Sequence, residues 1–170
     1  MKFCVFGAGR MGAIHAGNIA ATDRATLGYI VDTNLERANT LANKYGAIAT
    51  IDCKKVLADP SVNAVIIASA TDTHADLIEA AVRAKKAIIC EKPIDLSLER
   101  VRTCERAIAG FDKPVMIGFQ RRFDTTHRAV RQAIEQGEIG AVESISITSR
   151  DPSPPPYEYI KTSGGQFSTR

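Results

Sequence analysis

Five short apolar runs, each separated from the next by a stretch of helix-forming composition, constrain this chain more than any other feature. The runs are Lys2–Phe6 (KFCVF), Leu27–Val31 (LGYIV), Ala64–Ala68 (AVIIA), Ala87–Cys90 (AIIC) and Pro114–Phe119 (PVMIGF). Between them, Met11–Ala21, Leu35–Tyr45, His74–Ala84 and Ser97–Ala109 read as helices, with a shorter one around Lys54–Leu57. Gly46 stands where a helix stop is expected. Runs apolar on both faces belong inside a covered sheet, and a helix between successive runs makes the strands parallel. The crossovers then take the right-handed course. Residues 1–120 are therefore expected to form an α/β domain, a doubly wound parallel sheet with helices on both faces.

The pattern changes after Phe119. Arg121–Gln136 reads as a charged helix ended by Gly137, and Val142–Ser149 (VESISITS) alternates like a half-solvated strand. The proline run in DPSPPPYEY suits neither a helix nor a strand interior. Residues 121–170 thus read as the opening of a second, incomplete α/β domain.

Composition excludes several classes. With 170 residues, 45% hydrophobic and 24% charged, the chain is not disordered throughout. Its 22 basic and 19 acidic residues leave +3, too mild a balance to argue for nucleic acid. No apolar run reaches the roughly 18 residues of a membrane span, and no signal-peptide pattern precedes Lys2, so a cytoplasmic location is expected. Cys4, Cys53, Cys90 and Cys104 are far apart, which argues against disulfides or a metal site.

The motifs sit at the ends of the apolar runs. Gly7-Ala8-Gly9-Arg10-Met11-Gly12 is G-x-G-x-x-G between a strand and a helix, the context in which it cradles a dinucleotide pyrophosphate. Gly7 allows the tight turn, Gly9 close approach of the backbone, and Gly12 close packing of helix on sheet. Asp32 follows the second run at the spacing of a carboxylate that accepts from ribose hydroxyls. It would repel a 2′-phosphate, and Arg37 reads as a solvated helix residue, so NAD is expected over NADP. Glu91-Lys92-Pro93 follows the run AIIC, where Lys92 can serve as acid/base or hydrogen-bond donor beside a nicotinamide. Ser69, Thr71 and His74 follow AVIIA and line the same crevice, with Thr73 and Asp76 spaced as a capping box. His74 either touches the cofactor ribose or packs at its helix start; His15 and His127 read as structural.

Together GAGRMG, VDTN, EKP and GFQRRFD (118–124) resemble the Gfo/Idh/MocA oxidoreductases, and Ser149–Phe167 is similar to the members that act on inositol. The resemblance covers the chain to about Phe167. It implies a Rossmann domain that binds NAD, and a second domain that holds the substrate and makes oligomer contacts. It further implies oxidation of a hydroxyl of inositol, or a related polyol or sugar, to a ketone by hydride transfer. By resemblance Lys92 is a catalytic residue, Glu91 positions it, and Arg121 and Arg122 close over the nicotinamide. In the family the SGG segment leads to an aspartate and a histidine that take the hydroxyl proton, whereas here SGGQF is followed by Ser168-Thr169-Arg170. A catalytically silent NAD-binding domain is therefore the alternative expectation, and either disorder beyond about Arg150 or a dimer that pairs the edge of Val142–Ser149 with a second copy is expected.

Overall fold

The computed structural model describes residues 1–150 and 153–154. The strands are β1 (Lys2–Phe6), β2 (Thr26–Val31), β3 (Ile48–Thr50), β4 (Ala64–Ile67), β5 (Ala87–Cys90) and β6 (Val115–Ile117). Interleaved with them are α1 (Arg10–Ala20), α2 (Leu35–Tyr45), α3 (Cys53–Ala58), α4 (His74–Arg83) and α5 (Leu98–Ile108), and α6 (Thr125–Glu135) follows β6. All five strand pairings are parallel and the order is β3-β2-β1-β4-β5-β6. The order reverses between β1 and β4, the topological switch point at which such sheets bind ligands. This is the doubly wound sheet expected from the apolar runs.

The two-residue period of a strand divides each central run between two cores. Cys4 and Phe6 of β1, with Val65 and Ile67 of β4, pack with Val56, Ile78 and Cys104 of α3, α4 and α5. Val5 and Ile66 face the other way and join Ala16, Ile19, Ala38 and Leu41 of α1 and α2. Every residue of β4 is buried, as its unbroken apolar run requires. Three of the four cysteines are buried free thiols, and burial pushes the Cys90 thiol up to about 12.

Four helices begin with a side-chain cap: Asn34, Asp52, Ser97 and Asp124 each accept from the backbone N–H three residues on. The helices that follow β1 and β4 have none. The helix ends flanking the switch point thus keep their first N–H groups free of side-chain caps.

Several expectations are corrected. β3 was not foreseen; it is a three-residue edge strand paired on one side to Tyr29–Val31. The helix placed at Arg121–Gln136 is a 3-10 turn at Gln120–Arg122 followed by α6, because Asp124 caps the helix at that point. Val142–Ser149 is not a strand: no neighbouring strand offers it a ladder among the described residues, and residues 141–150 are exposed. Thr73 and Asp76 form no capping box, since Thr73 Oγ1 bonds to Ser69 Oγ and to the Ala70 carbonyl while Asp76 pairs with Arg100. The SGG segment and most of the proline run lie outside the described residues. No helix among the described residues is long and apolar enough to cross a membrane.

Candidate functional site

Register brings the motif-bearing strand ends into one row. Phe6 pairs with Val31 on one side and with Ile67 on the other, and Ile67 pairs with Cys90. The row extends one residue further: Gly7 N–H donates to Val31 O at 2.7 Å, Ala68 N–H to Phe6 O at 2.8 Å and Glu91 N–H to Ile67 O at 2.8 Å. The glycine turn, Asp32, the Ser69 loop and Glu91-Lys92-Pro93 therefore share the carboxyl edge of the sheet.

Within the turn the three glycines do different work. Gly7 has φ +97°, and a Cβ there would lie 2.4 Å from Ala68 O. A Cβ on Gly12 would lie 1.8 Å from Gly7 O, so α1 lies on the turn only because Gly12 has no side chain. Gly9 differs, since its Cβ would meet nothing within 4 Å. The space in front of α1 is open, and α1 has neither a side-chain cap nor an acidic residue in its first turn. A backbone cradle of this kind fits a dinucleotide pyrophosphate. Arg10 is exposed and Met11 half-buried at the start of the same helix.

Asp32 holds the turn in shape. Its Oδ2 accepts from Ala8 N–H at 2.7 Å, and its Oδ1 accepts from Asn34 N–H at 2.8 Å. Arg37 also reaches Oδ1, at 3.2 Å, so it is a partner of Asp32 and not simply a solvated helix residue. An exposed Arg37 packs too loosely to leave a periodic signal, but its position five residues past Asp32 on a capped first turn was a readable hint.

The lysine loop is held from both faces of the sheet. The Lys92–Pro93 peptide is cis, and Lys92 is exposed. His74 is only 2% exposed; its Nδ1 lies 2.8 Å from Pro93 O and its Nε2 3.1 Å from Ser69 O. His74 packs at the helix start, one of its two readings, with both ring nitrogens against backbone carbonyls. His15 on α1 approaches from the opposite face, with Nε2 2.9 Å from Glu91 Oε1. Sequence reasoning gave His15 no such partner, because nothing local links it to a residue 76 positions away.

The remaining candidates sit at the rim. Ser69 Oγ and Thr73 Oγ1 are 2.7 Å apart, and Thr71 begins the 3-10 turn between β4 and α4. Arg121 is exposed, with Nη1 3.1 Å from His127 Nε2, and His127 Nδ1 lies 2.8 Å from Asp124 Oδ1. Those two hydrogen bonds tie Arg121 to α6, and the structure shows no bond from it to the strand-end row.

Comparison with known proteins supplies the lineage. Residues 1–119 match the Gfo/Idh/MocA family, described as an oxidoreductase family with an NAD-binding Rossmann fold. The inositol 2-dehydrogenase of Rhizobium meliloti is 49% identical over 168 residues, which cover 98% of this chain and 50% of that protein. The myo-inositol 2-dehydrogenase of Thermotoga maritima is 40% identical over the same shares. Among solved structures, a putative myo-inositol dehydrogenase from Sinorhizobium meliloti superposes with TM-score 0.91 at 47% identity, over 97% of this chain and 50% of that one. A scyllo-inositol dehydrogenase from Lactobacillus casei with bound NAD(H) and scyllo-inositol superposes with TM-score 0.78 at 31% identity, over 82% and 42%. The chain thus spans about half the length of these relatives. With its glycine turn, its strand order and its match over residues 1–119, the chain belongs to the Gfo/Idh/MocA family of oxidoreductases.

Proposed function

We propose that this chain supplies the NAD-binding half of an inositol dehydrogenase site, with Lys92 as the residue that addresses the substrate hydroxyl. The observation that carries the reading is the row on the carboxyl edge of the sheet, where an exposed lysine follows β5 and the open glycine cradle follows β1. Bound NAD supplies the hydride acceptor. The N–H groups at the start of α1 face the pyrophosphate, and Asp32 faces the adenosine ribose while bracing Ala8. Lys92 donates a hydrogen bond to the hydroxyl being oxidised and stabilises the oxygen while the hydroxyl proton passes to a base of the substrate-holding domain. Arg121, Ser69 and Thr71 border the nicotinamide end. The names of the relatives point to inositol as the substrate, and a related polyol is the alternative of the same chemistry.

NAD is the expected cofactor over NADP. The half-buried Asp32 carboxylate stands where a 2′-phosphate would meet it, and Arg37 is already engaged with that carboxylate. Calorimetric titration of the chain with both dinucleotides tests this. NAD is expected to bind at least about tenfold tighter, a difference of roughly 1.4 kcal/mol, and equal affinities would overturn the role of Asp32. The catalytic reading is tested by NADH formation from myo-inositol, with Lys92→Ala as the control. In a protein that includes a substrate-holding domain, Lys92→Ala is expected to lower kcat by about 10²–10⁴ with NAD affinity nearly unchanged. An unaltered kcat would remove Lys92 from the reaction.

A further inference from the structure

The Glu91 side chain lies between α1 and the end of β6. Its Oε1 lies 2.9 Å from Nε2 of His15 on α1, a hydrogen bond between the two side chains. Both side chains are largely covered, at 19% and 14% exposure. On the far side stands Gly118 at the end of β6, whose N–H donates to Cys90 O at 2.7 Å. A Cβ on Gly118 would come within 3.2 Å of Glu91 Cδ and Oε1 and 3.3 Å of Oε2. An alanine at 118 would therefore crowd the carboxylate, which would have to give by a few tenths of an ångström. Among the described residues, His15–Glu91 is the only side-chain hydrogen bond between α1 and the Glu91-Lys92-Pro93 turn. Two apolar side chains would pack α1 here without desolvating a carboxylate; what the polar pair adds is a fixed direction.

We propose that His15 and Gly118 are positioning residues for Lys92. His15 bonds the Glu91 carboxylate and Gly118 leaves room for it, and together they set the start of the lysine turn against α1, the helix whose N-terminus forms the cofactor cradle. His74 fixes the other end of the same turn through the Pro93 carbonyl. Cofactor cradle and lysine are thereby held in one frame, although they lie on strands separated by β4. The inference rests on the reading of that cradle and Lys92 as one site.

Amide hydrogen exchange in the ligand-free chain, followed residue by residue, tests the placement directly. His15→Leu removes the donor and keeps the packing, His15→Gln restores an N–H donor, and Gly118→Ala keeps both partners but crowds the carboxylate. The Glu91 amide, bonded to Ile67 O, is expected to exchange about tenfold faster in His15→Leu and Gly118→Ala, with the amides of Val65 and Ile66 unchanged. His15→Gln is expected to stay within about threefold of the unsubstituted chain. In a protein that includes a substrate-holding domain, kcat is expected to fall about tenfold in the first two variants and to recover in the third, with NAD affinity nearly unchanged, as for Lys92→Ala. If His15→Leu does not fold, Gly118→Ala carries the test alone. Unchanged exchange at Glu91, a rise shared equally by β4, or an unaltered kcat in a protein that oxidises inositol would each overturn the proposal. Failure of the unsubstituted chain to bind NAD would count against the proposed function instead, and the exchange arm would then decide the positioning role by itself.

Discussion

Asp59 carries the clearest single-residue consequence for stability. Ser61 donates to its Oδ1 through both hydroxyl (2.6 Å) and N–H (2.8 Å), and Tyr29 donates to Oδ2 at 2.8 Å. These donors, Ser61 foremost, hold the Asp59 carboxyl down at about 2. A carboxyl lowered in the fold stabilises it fully above the ordinary aspartate value, and the stabilisation is lost as pH falls toward 2. Asp59→Asn is therefore expected to unfold at a lower temperature than the parent at pH 7, with the gap closing as the pH approaches 2. Thermal melts across that range measure it, and a gap independent of pH would contradict the assignment. Residues at this scale differed in how legible they were in the sequence. Asp32 could be placed because its spacing from Gly12 is a local signal. The Tyr29–Asp59 and His15–Glu91 contacts could not, because each joins residues that only the folded sheet brings together.

Among the elements, α1 depends most sharply on single atoms. Gly12→Ala would place a Cβ 1.8 Å from Gly7 O, so the helix must lift from β1. Overpacking of this kind costs about 1–3 kcal/mol, and a lower urea midpoint together with lost NAD binding is expected. Gly9→Ala meets nothing within 4 Å and should leave the midpoint unchanged while filling the space assigned to the pyrophosphate. Equal destabilisation by the two substitutions would refute this division of labour. The helices were legible because caps and stops are local: Asn34 opens α2 and Gly46, at φ +68°, closes it. β3 escaped because Ile48–Thr50 is too short for a period to register, and its existence depends on β2 beside it. Val142–Ser149 failed in the opposite sense. Its alternation was real, but alternation states only that a strand would be half-solvated, and here no neighbouring strand is described to receive it.

For the whole molecule, the proposed cofactor links stability to concentration. A ligand that binds only the folded chain stabilises it by about 2.7 kcal/mol at a hundredfold excess over Kd. Raising NAD is therefore expected to move the melting temperature upward progressively, and NADP at the same concentration to move it less. Identical shifts would argue that neither dinucleotide is distinguished by Asp32. The fold was legible at this scale because apolar runs and intervening helices admit few topologies. The strand order also has a consequence for biosynthesis. β1 leaves the ribosome first, yet it becomes the middle of the sheet, and its Phe3 meets Ala64 of β4. At about 5–20 residues per second, translation separates these partners by some seconds, during which one backbone edge of the nascent β1 has no mate. Codon usage that slows elongation between residues 31 and 64 would lengthen that interval, and with it the exposure of the newborn chain to mispairing.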